Sequence, residues 1–137
     1  MKTIKNISIL LLAFTALFFS SCKDEDPIVE EDPKVVFDFS SPTAGAMFGL
    51  GDTIHIDGKI SHTIDMHGYE VSIINTSHND TVVFNDHGHV DGKMFHIHET
   101  WVNNVSDHSN MTLKIEAITD HAGNSETKEI MFHCHPM

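Results

Sequence analysis

Histidine is the residue type whose number and spacing in this sequence most clearly point to chemistry. The chain has 12 histidines among 137 residues, and all of them follow residue 50. Six of them form His-x-His pairs, namely His87 with His89, His96 with His98, and His133 with His135. Neutral imidazole is the commonest protein ligand for transition metals. The sequence therefore predicts a surface that binds soft or borderline divalent cations.

The spacing of these pairs suits β-strands. Residues two apart on a strand project from the same face, about 6.5 Å apart along the backbone. Since zinc binds imidazole nitrogen at about 2.0 Å, both rings of a pair can reach one metal, and a neighbouring strand can supply further ligands. We expect one cluster of His55, His96 and His98, to which His87 and His89 add from the preceding loop.

The last strand carries the third pair. Its alternation places Cys134 towards the core and His133 and His135 towards solvent. A thiolate and two imidazoles so close together would suit zinc or copper, although a lone cysteine is more commonly a small buried apolar residue. The predicted metal ligands are therefore His55, His87, His89, His96, His98, His133, His135 and Cys134.

The isolated histidines are weaker candidates. They lie in turn-like stretches, where polar residues are the default, and the sequence selects none of them singly: His62, His67, His78, His108 and His121. His62 and His67 could close a site by folding over the sheet. Exposed His-x-His pairs also have a plainer interpretation, as solvated surface.

The elements that would position these residues follow a period of two. Apolar and polar residues alternate over seven short segments, near 35–39, 53–60, 69–73, 81–84, 95–101, 111–117 and 130–134. Glycine, proline and asparagine mark turns between them, and no segment has helical periodicity. The pattern predicts an all-β fold, an immunoglobulin-like antiparallel β-sandwich of about seven strands.

The N-terminus predicts export. Lys2 and Lys5 precede an apolar run over 7–19, which is typical of a secretory signal peptide. Residues 19–22, Phe-Ser-Ser-Cys, resemble the lipobox of bacterial lipoproteins, which implies that Cys22 is lipidated. The acidic stretch 23–26 is similar to the export signal of Bacteroidota lipoproteins, which implies an outer-membrane lipid anchor at the cell surface. We expect a signal peptide at 1–21, the lipidated cysteine and an acidic tether at 22–33, and one domain at 34–137.

Cysteine count and charge narrow the function further. A lipid on Cys22 would leave Cys134 without an intramolecular disulfide partner. The chain has a net charge of −12, with 20 acids and no arginine. Removal of residues 1–21 takes away two lysines and no acid, so six lysines remain and the charge becomes −14. This charge argues against nucleic acid or anionic membrane surfaces as partners and favours divalent metal ions.

Several short motifs resemble known families. Gly51-Asp52-Thr53-Ile54, Tyr69-Glu70-Val71 and Ala117-Ile118-Thr119-Asp120 are laid out as in Bacteroidota surface lipoproteins with one immunoglobulin-like domain of unknown function. That resemblance implies the fold, which hosts many functions. Phe95-His96-Ile97-His98-Glu99 is similar to a copper-ligand stretch of copper/zinc superoxide dismutases, and His133-Cys134-His135 is similar to the tripeptide of multicopper oxidases. For the dismutases, the sequence shows no bridging histidine in a Gly-x-His-x-Asn-Pro setting, no disulfide pair and no arginine to guide the substrate anion. In the oxidases the tripeptide is followed by a further histidine and an axial residue, and several domains contribute ligands.

No nucleophile motif, phosphate loop or nucleotide fingerprint is present, so the sequence predicts a protein that is not an enzyme. It favours metal capture or buffering, in which neutral imidazoles bind above about pH 7 and release metal as they protonate below about 6.5. The first alternative is a structural or adhesive envelope module without a metal role. A weaker alternative is a copper-dependent redox protein.

Overall fold

Eight β-strands form the described part of this computed structural model, which comprises residues 34–89 and 91–136. They are β1 (Val36–Ser41), β2 (Met47–Gly49), β3 (Thr53–Met66), β4 (Gly68–Asn75), β5 (Thr81–Gly88), β6 (Gly92–Val102), β7 (Ser109–Ile118) and β8 (Ser125–His135). Within these residues no helix is long and apolar enough to cross a membrane. The predicted signal peptide, tether and Cys22 lie outside the described residues.

The strands form two sheets. One has three strands in the order β1-β3-β6, and the other has five in the order β2-β8-β7-β4-β5. Neighbouring strands are antiparallel except for β2, which runs parallel to β8. The predicted all-β immunoglobulin-like sandwich is confirmed. The short strand β2 was not predicted, because its surroundings are rich in glycine and indicate turns.

The core lies between the sheets and follows the predicted alternation. Buried aliphatic and aromatic side chains include Ile54, Ile56, Val71, Ile73, Ile97, Trp101, Leu113, Ile115 and Phe132. Cys134 is 1% exposed and belongs to this core, as the alternation predicts. Outward-facing positions between these residues are left for polar side chains, including the histidines.

Strand register fixes which connections share an end of the sandwich. Met66 at the end of β3 lies opposite Gly92 at the start of β6. Gly68 at the start of β4 lies opposite Ile118 at the end of β7, and the last residue of β5 pairs with Tyr69. The connections β3–β4, β5–β6 and β7–β8 therefore lie together, at what we call the His67 end. The connections β4–β5 and β6–β7 and the last residues of β8 lie at the opposite, His135 end.

Candidate metal centre

Three side chains with metal-ligand atoms converge at the His67 end. His67, Asp91 and His121 each offer one ligand atom, and these atoms all lie within 4.8 Å of one another. Among residues 34–89 and 91–136, no other group of three or more histidines, cysteines or carboxylates meets that distance. This group is the candidate metal centre.

Each of the three residues comes from a different connection. His67 is the single residue between β3 and β4, where the chain passes from the three-stranded to the five-stranded sheet. Its backbone N–H donates to the carbonyl of Ile118 at 2.8 Å, which ties this crossing to the end of β7. Asp91 immediately precedes β6, and His121 lies in the β7–β8 turn. The centre therefore depends on the tertiary fold and not on local sequence spacing.

The turn that carries His121 is held by Asp120. Oδ1 of Asp120 accepts hydrogen bonds from the backbone N–H groups of Ala122 and Asn124 at 2.9 and 3.0 Å. Its Oδ2 accepts from the side-chain amide of Asn124 at 2.6 Å. These bonds hold the pKa of the Asp120 carboxyl below its usual value, and the bond from the Asn124 side chain has the largest effect. Gly123 takes a φ of 87°, which glycine adopts at little steric cost.

His67 and Asp91 are already in contact. Nδ1 of His67 lies 2.9 Å from Oδ1 of Asp91, so an Nδ1–H donates to the carboxylate. This hydrogen bond is the main cause that lowers the pKa of Asp91, and the nearby imidazoles of His67, His121 and His89 lower it further. Asp91 is therefore an anion at neutral pH, as a ligand for a divalent cation must be.

Two further imidazoles, those of His121 and His89, lie against the ring of His67. The ring centroids of His67 and His121 are 3.8 Å apart, and those of His67 and His89 are 4.1 Å apart. His89, which the sequence predicted as a ligand, thus lies against His67, although the group of ligand atoms within 4.8 Å of one another does not include it. The side chain of His67 is 18% exposed and that of Asp91 is 63% exposed, so an ion can reach the centre from solvent.

Gly68 permits the close approach of β5 that brings His89 to His67. A Cβ at Gly68 would overlap the carbonyl oxygen of Gly88 and would lie 3.4 Å from Cα of His89. Glycine in a strand often marks such a close approach of two backbones. The identity of residue 68 therefore bears directly on the geometry of the centre.

The predicted cluster on β3 and β6 is only partly assembled. The two strands are neighbours, as expected, but His55 pairs with Thr100, while His98 lies opposite Asp57. Nδ1 of His98 is hydrogen-bonded to the Asp57 carboxylate. His55, His96 and His98 are exposed on the same strand faces, yet their ligand atoms do not form a close group of three. Their role as ligands stays a prediction.

His87 lies in β5, and not in the loop where we expected it, because β5 continues to Gly88. It is exposed and pairs across the sheet with Glu70. The two members of the predicted His87 and His89 pair therefore differ in position: His89 lies beside the centre, and His87 lies on the strand before it. A metal role for His87 stays a prediction.

The predicted ligands of β8 are divided between the two faces of the strand. His133 is exposed and His135 is half-buried, whereas Cys134 points into the core. Burial raises the pKa of the Cys134 thiol to about 11, and the negative charge of Asp52 adds to this effect. At neutral pH Cys134 is therefore a neutral thiol, which is a poor metal ligand compared with a thiolate.

Sequence reasoning missed the centre itself. The sequence pattern selects neither His67 nor His121 singly, and it gives no sign of Asp91. These three residues could have been found from the topology. When successive strands run in opposite directions, every second connection lies at the same end of the sandwich. His67, the segment that ends at Asp91 and His121 fall in three such alternate connections.

Comparison with known proteins gives likeness of structure only. No protein-family model matches the sequence, and no curated protein is similar to it. CopC from Methylosinus trichosporium OB3b is 9% identical, with a TM-score of 0.42 over 74% of this chain and 95% of CopC. Fibronectin(III)-like modules of Clostridium thermocellum CbhA are 19% identical, with a TM-score of 0.41 over 73% of this chain and 96% of theirs. A CARDB domain from Pyrococcus furiosus, in complex with di-metal ions, is 11% identical, with a TM-score of 0.43 over 75% of this chain and 94% of that domain.

Proposed function

We propose that this protein captures or buffers a divalent transition-metal ion at the bacterial outer surface, held to the outer membrane by a lipid on Cys22. The ion binds at the His67 end through His67, Asp91 and His121, and His89 is available as a fourth ligand. The observation that carries this proposal is the approach of three ligand atoms to within 4.8 Å. We propose binding and not catalysis as the activity.

The donor set supports a borderline metal. Two imidazoles and one carboxylate suit zinc, copper or iron, whereas magnesium and calcium prefer oxygen ligands throughout. With three protein ligands the ion keeps an open coordination position, and with His89 it completes a tetrahedron. Zinc and copper(II) are the ions that we expect to bind.

The position of the centre supports reversible capture. Asp91 and His121 are exposed, and the centre lies on connections at one end of the sandwich and not in the core between the sheets. An ion there can enter and leave without unfolding of the domain. Exposure at the cell surface, which the acidic stretch 23–26 implies by its resemblance to the export signal of Bacteroidota lipoproteins, gives access to environmental metal.

The test is a calorimetric titration of the lipidated protein in detergent with Zn(II) and Cu(II). We expect stoichiometric binding with a dissociation constant below about 1 μM, which corresponds to at least about 8 kcal/mol and is modest beside the roughly 10–16 kcal/mol of four-ligand structural zinc sites. The variant His67→Ala with His121→Ala removes two of three ligands, so its affinity at this end falls more than about 100-fold. Loss of an outer-shell partner alone typically costs 10- to 100-fold.

A matched control removes the same number of histidines elsewhere. His62 lies in β3 and His78 in the β4–β5 connection, and neither belongs to the centre. The variant His62→Ala with His78→Ala should bind as the native protein does. Millimolar, non-stoichiometric binding by the native protein would contradict the proposal and favour a structural or adhesive module.

A further inference from the structure

The His135 end carries a second group of imidazoles. His108, from the connection between β6 and β7, and His133 and His135, from β8, line one open groove. This groove lies at the opposite end of the sandwich from the candidate centre. Since β7 runs over ten residues between the two ends, they are separated by about 30 Å at 3.3 Å per residue.

Two of these rings already have one nitrogen engaged. Nδ1 of His135 lies 2.9 Å from the carbonyl oxygen of Pro136, and Nδ1 of His133 lies 2.9 Å from Oδ1 of Asn110. Both partners are oxygens that can only accept, so Nδ1 of each neutral ring carries the proton and Nε2 carries the free lone pair. Metal-binding histidines are oriented in the same way by oxygen acceptors behind the ring.

The third ring, that of His108, lies against His135. The rings of His108 and His135 are stacked with centroids 6.0 Å apart. Two imidazoles that bind one zinc ion at about 2.0 Å have ring centres about 5 Å apart, close to the separation of these two rings. Because the lone pair of an imidazole lies in the plane of its ring, the two stacked rings must turn before both can face one ion. Asn110, which orients His133, follows His108 by two residues, so one connection both supplies a ligand and positions another.

From this arrangement we propose that His108, His133 and His135 form a second, independent site for a divalent transition-metal ion. The ligands are imidazoles alone, because the Cys134 side chain between them is buried in the core. Such a set favours Cu(II), Ni(II) or Zn(II). The proposal does not depend on the centre at the His67 end, because no ligand is shared.

The test measures metal content after equilibrium dialysis of the lipidated protein, in detergent, against Zn(II) and then Cu(II). The native protein should hold two ions per chain. His67→Ala with His121→Ala should hold one, and so should His108→Ala with His133→Ala and His135→Ala. Changing all five should leave none, since sites this far apart act additively. The control variant, His62→Ala with His78→Ala, should hold two, and circular dichroism should show the native β-sheet spectrum in every variant.

The outcomes separate the two proposals. If the triple variant of the His135 end retains the full metal content of the native protein, the second site is refuted, whatever the other variants do. If the native protein holds one ion that the His67-end variant loses, the first centre stands and the second site is refuted. If the His67-end variant retains the full metal content of the native protein and the triple variant loses an ion, the second site stands and the first centre is refuted.

Discussion

Asp91 is the only anionic member of the candidate centre, and its charge decides whether the site attracts a cation or merely holds three polar groups. In the native protein, Nδ1 of His67 lies 2.9 Å from Oδ1 of Asp91. In the variant Asp91→Asn, the side-chain oxygen can still accept this hydrogen bond. The negative charge is lost, and an amide oxygen is a weaker ligand for zinc. We expect affinity at this end to fall about 10- to 100-fold.

Calorimetry at one pH measures this change, and the melting temperature without metal serves as its control. Because Asp91 is exposed, the metal-free stability of the variant should stay close to that of the native protein. Unchanged zinc affinity in Asp91→Asn would show that the carboxylate is not a ligand and that the site relies on imidazoles alone.

Cys134 gives a prediction at the same scale that concerns stability and not metal. Burial raises the pKa of this thiol to about 11 from its ordinary value of 9.0. A group whose folded pKa is raised contributes stability that is complete below the unfolded pKa and is lost as pH rises through the folded one. The free energy of unfolding should therefore decline between about pH 9 and pH 11 more steeply in the native protein than in Cys134→Ala.

Denaturant titrations at several pH values measure this slope. The comparison with Cys134→Ala removes the contributions of tyrosine and lysine, which titrate in the same range. The thiol should also react slowly with iodoacetamide at pH 8 in the folded protein and rapidly once unfolded. Equal slopes for both proteins would show that Cys134 ionises as freely in the folded state as in the unfolded chain.

At the scale of elements, the strand ends around Gly68 determine whether the imidazoles meet. Gly68→Ala would place a methyl group on the carbonyl oxygen of Gly88, so β4 and β5 must separate. Overpacking of this kind costs about 1–3 kcal/mol of stability. We expect a lower melting temperature and weaker zinc binding, because His89 moves away from His67.

Gly92→Ala is the matched control for this substitution. It lies beside Asp91, but its added methyl group would contact Cε1 of Phe95 at 3.6 Å, an ordinary van der Waals distance. Thermal melts and calorimetry should therefore separate the two variants. Zinc binding by Gly68→Ala at native strength would mean that the spacing of β4 and β5 does not govern the centre.

The elements also explain what could be predicted from the sequence. Strand positions and the inward set, such as Ile54, Leu113 and Phe132, follow from a period of two that burial enforces locally. The His-x-His pairs follow the same period, so their position on outward strand faces can be predicted as well. The candidate centre takes one residue from each of three connections, so its residues do not recur at a regular spacing in the sequence. The fold brings together residues as far apart in the chain as His67 and His121. Only the order of strands in the sheets reveals it.

At the scale of the whole molecule, the candidate centre joins parts that no disulfide connects. Cys134 is a free cysteine, and the described residues contain no disulfide. Two of the three ligand-bearing connections cross between the sheets, so a bound ion links the three-stranded sheet to the five-stranded sheet at one end. Metal binding should therefore stabilise the fold as a whole, and not only the connections.

The size of this effect follows from binding linkage. A ligand at about 100 times its dissociation constant stabilises the folded state by about 2.7 kcal/mol, which for a domain of about 100 residues raises the melting temperature by roughly 10 °C. Differential scanning calorimetry with and without Zn(II) measures the shift, and Mg(II) should give none because it prefers oxygen ligands. The variant His67→Ala with His121→Ala should show a smaller zinc shift than the native protein at the same zinc concentration. An equal shift in both would mean that zinc stabilises the sandwich from somewhere other than the His67 end.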